Sequence, residues 1–400
     1  MKRTRRDFIK KGLISTAGVS IIPNLIRSDV KDYDSFVRQN KIIYRTLGRT
    51  GIRVPIVGLG IYDNTSVLHH AYNKGLKYIN SNGDYRNGNP ERRIGEFVSS
   101  RPRDSFIVAT GFDPRKYLDN RTFEPRKNAA RGIIKSAEES LKRLKLEYID
   151  IYFSGDLSNT AIVLFEPFFE AAEELKRSGK IRFTGGATHQ NEPHVLRTAA
   201  DSNAYDVVMT AYNFRKDNRE DIKNAIAYAS GKGLGIIAMK TQAGVYWDKD
   251  RKNMINMKAA LKWVLQNENI HTSVPAFYNT DEIDEGFSVM EDLTLTPSEL
   301  RDLKIVDEKS DEGLFCQQCR KCLDQCPGSS DIPALMRCYM YAYGYRNIAK
   351  AKDTLSSMNP DEISCRNCES CTVKCTMDFD IKKKVMDIIR INDIPEEFLS

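Results

Sequence analysis

The chain has 400 residues, of which 41% are hydrophobic and 29% are charged. This composition excludes a disordered or fibrous protein, and the length predicts two or three folded units, although α/β barrels reach roughly 250 residues as one domain. The formal net charge is +7, but the first 27 residues contain seven basic residues and one acidic residue, which contribute +6. The rest of the chain is nearly neutral, so its charge does not indicate nucleic-acid binding.

The N-terminal segment has the pattern of an export signal. Residues Thr4–Lys10 (TRRDFIK) match a twin-arginine motif, and the stretch from Gly12 to Ile26 is uncharged and mildly apolar. That stretch is shorter and more polar than the ~20 apolar residues of a spanning helix. We predict a twin-arginine signal peptide over residues 1–28, recognition by the twin-arginine export machinery and a periplasmic location. No membrane span is predicted beyond this leader, should it remain uncleaved; the alternative is a basic tail that contains Arg-Arg by chance.

A hairpin with strands Ile43–Leu47 and Ile52–Pro55 is predicted to follow the leader. Helical periodicity is clearest in Ala129–Leu144 and in Pro167–Ser178, with Gly179 as the C-cap of the second helix.

Short β-type runs alternate with these helical segments between residues 43 and 310. Eight strands, each followed by a helix, are typical of a (β/α)8 TIM barrel in the α/β class. The predicted strands are Pro55–Gly60, Lys77–Asn80, Phe106–Thr110, Tyr148–Phe153, Arg182–Gly185, Val207–Ala211, Gly235–Met239 and Thr272–Val274.

Motifs along this region resemble those of the aldo/keto reductase family, in the branch that carries a ferredoxin-like tail. Tyr44–Gly51 (YRTLGRTG) and Val57–Gly60 (VGLG) resemble the opening of the family, and Gly179–Arg182 (GKIR) resembles its fifth strand. Further matches follow in order at Ala211–Asn213, Ala238–Lys240, Ala259–Leu265 and Val274–Pro275. The resemblance covers nearly all of residues 43–310 and implies a TIM barrel with its site at the C-terminal ends of the strands.

The catalytic tetrad of that family is incomplete in this sequence. The family reduces carbonyl groups with NADPH by using Asp, Tyr, Lys and His. By local motif the Tyr falls on Tyr85, whereas the Asp falls on Asn80, the Lys on Gly111 and the His on Gly155. Tyr85 therefore remains the catalytic candidate, without the cation that would lower the pKa of a phenol from about 10. The two glycines are expected to leave space.

The cofactor positions implied by the resemblance are also changed. The Gln that holds the nicotinamide falls on Met209, and the Asn near the adenosine falls on Gly286. Tyr212 matches a residue that stacks on the nicotinamide, but it could equally be a packing residue. These changes argue against NADP(H). His189 and Lys240 follow predicted strands and are further candidates for acid–base catalysis, although each could be structural or solvated.

The C-terminal residues 311–400 contain all nine cysteines of the chain. Eight of them form two runs with the bacterial ferredoxin spacing C-x2-C-x2-C-x3-C, which predicts a small, mainly helical ferredoxin-like domain with two [4Fe–4S] clusters. Structural zinc is the alternative, but zinc sites favour separated C-x2-C pairs. The predicted ligands are Cys316, Cys319, Cys322, Cys326, Cys365, Cys368, Cys371 and Cys375.

The fourth cysteine of each ferredoxin run ligates the other cluster in two-cluster ferredoxins. We therefore expect Cys375 to complete the first cluster and Cys326 the second. The ninth cysteine, Cys338, is interpreted as a small buried apolar residue.

The sequence thus predicts an exported iron–sulfur oxidoreductase that acts on a small carbonyl or hydroxyl substrate, of carbohydrate type, with a redox partner protein. One alternative is a noncatalytic barrel that binds a ligand or partner and whose clusters are structural or relay electrons. Another is an NADPH-dependent carbonyl reductase that uses Tyr85.

Overall fold

We describe the protein from a computed structural model, which covers residues 41–60, 65–119, 122–308, 314–356, 358, 363–395 and 398. The predicted signal peptide, residues 1–28, lies outside the described residues.

Eight parallel strands form the barrel in chain order, each hydrogen-bonded to the next. The last strand also meets the first: Ser273 N donates to Ile56 O over 3.0 Å, and Gly58 N donates to Ser273 O over 2.8 Å. The predicted eight-stranded TIM barrel is therefore confirmed. Its strands are β3 Leu59–Gly60, β4 Tyr78–Asn80, β5 Ile107–Phe112, β6 Ile149–Ser154, β7 Ile181–Thr188, β8 Val207–Ala211, β9 Gly235–Met239 and β10 Thr272–Ser273.

The predicted hairpin is present and closes the N-terminal end of the barrel. Strand β1 (Tyr44–Thr46) pairs antiparallel with β2 (Arg53–Pro55). Gly51 has a φ of 70°, a left-handed conformation that costs glycine little. Leu47 and Val54 are fully buried among the side chains inside the barrel.

The helices around the barrel follow the predicted periodicity. The helix Ala129–Leu144 has the predicted bounds and buries Ile133, Ala137 and Leu144 against the sheet. The barrel helices are α1 Thr65–Asn73, α2 Asn89–Val98, α3 Ala129–Leu144, α4 Thr160–Val163, α5 Glu166–Arg177, α6 Glu192–Ser202, α7 Arg219–Gly231, α8 Met257–Leu265, α9 Thr280–Ser288 and α10 Pro297–Glu308.

The C-terminal domain is mainly helical and has its own apolar core. Its helices are α11 Ile332–Tyr339, a π-helix over Met340–Gly344, α12 Ile348–Ser356 and α13 Ile381–Ile389. Cys338 is fully buried in this core, as an apolar residue would be. None of the helices in the described ranges has the length and apolarity that a membrane crossing requires.

This domain docks on the barrel through polar and apolar contacts. Lys216 Nζ donates to Gln317 O over 3.1 Å, and Val245 N donates to Gly344 O over 2.8 Å. Phe315 and Met340 share an apolar cluster with residues of the barrel, among them Phe214. The two domains are therefore packed together at the C-terminal end of the barrel strands.

A buried carboxylate joins the strands β5, β6 and β7. Asp150, 1% exposed, accepts hydrogen bonds from Arg103 Nη2 (2.6 Å), Arg182 Nη1 (2.8 Å) and Val108 N (2.9 Å). Its charge is thereby matched by two cations and one backbone donor.

We expect Asp150→Asn to lower the free energy of unfolding by about 2–4 kcal/mol, because it leaves two guanidinium groups without their anion. Chemical denaturation measures this change. Lys135→Gln, which breaks an exposed ion pair with Glu139, is the control and should change stability little. Equal effects of the two substitutions would contradict the role given to Asp150.

Candidate active site at the barrel mouth

A cavity of about 730 Å³ lies at the C-terminal ends of the barrel strands. Active sites of TIM barrels occupy this end. Here the C-terminal domain covers it, so the walls come from both domains. The barrel contributes Asn80, Tyr85, Gly155, Asp156, His189 and Lys240, and the C-terminal domain contributes Arg337, Tyr341, Tyr345, Lys350 and Asp353.

Asp156 connects the two domains at this cavity. It follows strand β6 with a left-handed φ of 47°, which is uncommon for residues other than glycine. Its Oδ2 lies 3.0 Å from Arg337 Nη2 and 3.2 Å from Arg115 Nη1. Burial opposes ionisation, but the two guanidinium groups outweigh it and hold the pKa of Asp156 well below its usual range.

His189, a predicted acid–base residue, lies beside Asp156. Its Nδ1 is 3.7 Å from Asp156 Oδ1, which is too long for a hydrogen bond. Burial, together with the nearby Arg337 and Lys240, lowers the pKa of His189 to about 3 despite the carboxylate. The imidazole is therefore neutral at pH 7 and can exchange hydrogen bonds with a ligand, but it is a weak base.

Lys240, the other predicted acid–base residue, follows strand β9 and lines the cavity. Its φ is 58°, and its carbonyl accepts from Asn213 Nδ2 over 3.0 Å. Its Nζ lies 4.3 Å from the ring centroid of Tyr341 and 5.4 Å from that of Tyr345. Burial and the charge of Arg337 lower the pKa of Lys240 to about 7.

Tyr85 also lines the cavity, and a lysine of the C-terminal domain lies over its ring. Nζ of Lys350, on α12, is 3.0 Å from the Tyr85 ring centroid. Burial, followed by Tyr341 and neighbouring carboxylates, raises the pKa of Tyr85 above its ordinary value, so the phenol is protonated at neutral pH. Burial, reinforced by Lys240 and opposed by Asp353, lowers the pKa of Lys350 to about 7.

Arg337, Tyr341 and Lys350 were not predicted from the sequence to be residues of the site. All three lie between the two cysteine runs, and Arg337 and Tyr341 lie in a tyrosine-rich segment (MRCYMYAYGYR, 336–346). That composition is a weak signal, since only docking on the barrel brings these side chains to the cavity.

Gly155 and Gly111, which stand at the positions of the tetrad His and Lys, have different surroundings. Gly155 lines the cavity. Gly111 was expected to leave space, and this expectation is wrong: a Cβ there would lie 2.3 Å from the carbonyl oxygen of Phe153. The Cβ of Phe153 would lie at 2.7 Å, so there is no room for a lysine side chain at this position.

Residues at the NADP(H) positions do not fit that cofactor. Tyr212 is 2% exposed, with its ring 5.1 Å from that of Trp263, so it packs in the core and is absent from the cavity wall. A Cβ at Gly286 would lie 2.3 Å from the Phe277 ring, so an asparagine side chain does not fit at this position. Met209 lines the cavity but has only a weakly accepting thioether.

The eight cysteines of the two runs gather in two crossed groups. Cys375 lies near enough to Cys316 and Cys322 to raise the pKa of their thiols, which burial already raises. Cys326 affects the pKa of Cys365 in the same way. Cys326 also lines one small cavity together with Cys365, Cys368 and Cys371.

The ferredoxin spacing predicts such a pairing of Cys375 with the first run and of Cys326 with the second, and the binding of two clusters stays a prediction. Within the described ranges, no three His, Cys, Asp or Glu side chains converge tightly enough to hold a single metal ion.

Comparison with known proteins identifies relatives of the barrel. Residues 63–259, just under half of the chain, match the model of the aldo/keto reductase family. L-galactose dehydrogenase of Arabidopsis thaliana is 23% identical over 295 residues, which are 63% of this chain and 89% of that protein. L-glyceraldehyde 3-phosphate reductase of Escherichia coli (strain K12) is 25% identical over 177 residues, which are 39% of this chain and 48% of that protein.

Solved structures agree with this relationship. The aldo-keto reductase AKR11C1 from Bacillus halodurans superposes with a TM-score of 0.54 at 18% identity, covering 70% of this chain and 98% of that structure. This similarity supports the fold, and the match to the family model agrees with it. The barrel is thus similar in sequence to the aldo/keto reductase family over residues 63–259, and similar in fold to a solved aldo-keto reductase.

Proposed function

We propose that the protein is an exported iron–sulfur oxidoreductase. Its barrel cavity binds a small carbonyl or hydroxyl compound of carbohydrate type, and two [4Fe–4S] clusters in the C-terminal domain exchange electrons with a redox partner protein.

The shared cavity wall is the observation that carries this proposal. Arg337, Tyr341 and Lys350 belong to the cysteine-bearing domain, yet they line the cavity at the active-site end of the barrel. The adjacent Met340 accepts a 3.3 Å contact at Sδ from the backbone N–H of Cys316. The proposed ligands of one cluster and the proposed substrate site are thus separated by one π-helix.

The crossed cysteine groups suit two four-iron clusters. Cys316, Cys319, Cys322 and Cys375 would hold one, and Cys365, Cys368, Cys371 and Cys326 would hold the other. When bound, each cluster supplies one-electron chemistry. Two clusters together match the two electrons by which an alcohol and a carbonyl differ.

Tyr85 and Lys350 are positioned to move the proton on the oxygen atom of the substrate, which is one of the two protons by which an alcohol and a carbonyl differ. The phenol of Tyr85 is protonated at neutral pH and can donate to a carbonyl oxygen. The pKa of Lys350 is about 7, so its neutral amine can accept a proton from an alcohol. Neutral His189 can exchange hydrogen bonds with further oxygens of the substrate.

The substrate class is supported by the relatives and by the cavity. The names of two relatives specify L-galactose and L-glyceraldehyde 3-phosphate, a sugar and a sugar phosphate. The cavity is large enough for a monosaccharide and is lined by several polar side chains. Export before use fits the twin-arginine pattern, because that route carries folded proteins and clusters must be inserted before transport.

We expect anaerobically purified protein to contain about eight irons, four per cluster. Cys375→Ser should damage the cluster that includes Cys316, and Cys326→Ser the other; electron paramagnetic resonance of the reduced protein would show a different signal lost in each variant. Cys338→Ala is the control and should keep both signals. Zinc in place of iron after anaerobic reconstitution would overturn the cluster assignment.

Dye-coupled turnover of hexoses and hexuronic acids tests the catalytic residues. Tyr85→Phe should lower kcat at least about 100-fold, as expected for loss of a general acid–base group. Tyr343→Phe makes the same chemical change outside the cavity and should leave kcat unchanged. The rate of alcohol oxidation should rise as the pH increases through about 7, because Lys350 accepts a proton only when neutral.

The two alternative functions give different results in these assays. A noncatalytic barrel would bind these compounds without turnover of any of them by the intact holoprotein. Tight binding of NADPH, followed by its fluorescence, would favour an NADPH-dependent reductase and contradict the proposed electron route.

Export is tested by fractionation of a bacterial host that has the twin-arginine route. The double variant Arg5→Lys, Arg6→Lys should stay in the cytoplasm, since the paired arginines are the recognised feature. Arg3→Lys lies outside the pair and should be exported normally. Periplasmic accumulation of the double variant would contradict twin-arginine export.

A further inference from the structure

Three cationic side chains converge on one side of the cavity, around the ring of Tyr341. Lys240 Nζ lies 4.3 Å and Lys350 Nζ 6.0 Å from its centroid. Arg337 is 4% exposed, and its positive charge lowers the pKa of both lysines. The charge of Lys240 also lowers the pKa of Lys350. Like charges gathered in a partly dehydrated cavity repel one another, which is unfavourable unless anions compensate them.

Two of the three cations have carboxylates of the protein nearby. Arg337 Nη2 pairs with Asp156 at 3.0 Å. The negative charge of Asp353, on the same helix, raises the pKa of Lys350 and so favours its charged form. Among the described residues, none of the ion pairs includes Lys240, and the one charge that affects its pKa is the positive charge of Arg337. The cavity therefore carries about one uncompensated positive charge at Lys240.

A second observation points to a missing ligand atom at the same place. Nη1 of Arg337 is buried and has no hydrogen-bond partner in the described structure, although Arg337 lines the cavity. A buried donor without a partner costs about 1–3 kcal/mol, so such groups are rarely left unmatched. The left-handed backbone of Lys240 is a further local cost, of the kind found where a side chain must be aimed at a ligand.

We propose that Lys240 and Arg337, with Lys350 beside them, form a subsite for the carboxylate of a sugar acid. This inference rests on the proposed function and specifies its substrate class. A carboxylate carries one negative charge and accepts two or more hydrogen bonds, which matches one uncompensated lysine and one unpaired guanidinium N–H. A phosphate monoester carries close to two negative charges, more than the uncompensated charge at Lys240.

The subsite makes binding depend on pH. The groups that face Lys240 are Arg337 on α11, Tyr341 and Tyr345 on and after the π-helix, Lys350 on α12, and His189 after β7, with Asp156 beyond it. His189 and the tyrosines are neutral and Arg337 is charged throughout the range of pH 6 to 8. Lys240 and Lys350 lose charge as the pH rises through about 7, so carboxylate binding should weaken.

The test is calorimetric binding to the cluster-loaded full-length protein, without turnover. A hexuronate should bind at least about tenfold more tightly than the matching neutral hexose at pH 6, and this preference should shrink at pH 8. Lys240→Gln should abolish the preference and Lys240→Arg should retain it. Iron content and visible absorption show that each variant is folded and loaded.

A second readout does not depend on ligand. Lys240→Gln should raise the melting temperature of the ligand-free protein, or leave it unchanged, because it relieves repulsion with Arg337 and Lys350. A lysine with a merely structural role would lower it when removed.

Equal affinity for hexose and hexuronate, or stronger binding of the hexose 6-phosphate, would overturn the carboxylate assignment. Carboxylate binding without electron transfer would support this inference and reject the proposed function. Turnover of neutral sugars alone would support the proposed function and reject this inference.

Discussion

The ion pair of Asp156 with Arg337 joins the barrel to the C-terminal domain at the cavity, and Arg115 of the barrel pairs with the same carboxylate. Breaking a buried ion pair leaves an uncompensated charge, which is costly, so the two domains are held in one arrangement at this point. Arg337 lies in the last turn of α11, three residues before the start of the π-helix that carries Tyr341. This ion pair fixes the part of the cavity wall that the C-terminal domain contributes, here called the ceiling. It thereby also fixes the position of Lys350 over the ring of Tyr85.

The cation of this site occupies a different position from the one that the resemblance to aldo/keto reductases implies. A lysine inside the strands is excluded at Gly111, since the backbone and Cβ of Phe153 occupy its space. The cation beside Tyr85 is instead Lys350, which lies on helix α12 of the C-terminal domain. It contacts the face of the ring, and burial dominates the pKa of the phenol. The tyrosine is therefore kept protonated, with the amine of Lys350 over its ring.

Much of the fold could be predicted from the sequence, because strand alternation, helical periodicity and the Gly51 turn are local signals. The helix Ala129–Leu144 agrees in both bounds, and the eight strands occur where expected. The candidate site was predictable only for residues that follow barrel strands, such as Lys240. Asp156 and Arg337 are 181 positions apart in the sequence, so no local sequence pattern predicts their contact. The packing of Tyr212 against Trp263 is equally a matter of tertiary structure.

A cavity whose floor and ceiling come from distant parts of the chain imposes an order of assembly. When the first 308 residues have been synthesised, the barrel strands are complete, but Tyr85 and Lys240 still face open water. The ceiling can form only after the last cysteine run has emerged and the C-terminal domain has docked. Affinity for substrate is therefore a late property of the chain. It reports on the completeness of both domains together, so a truncated or incompletely matured molecule would be unable to occupy its own site.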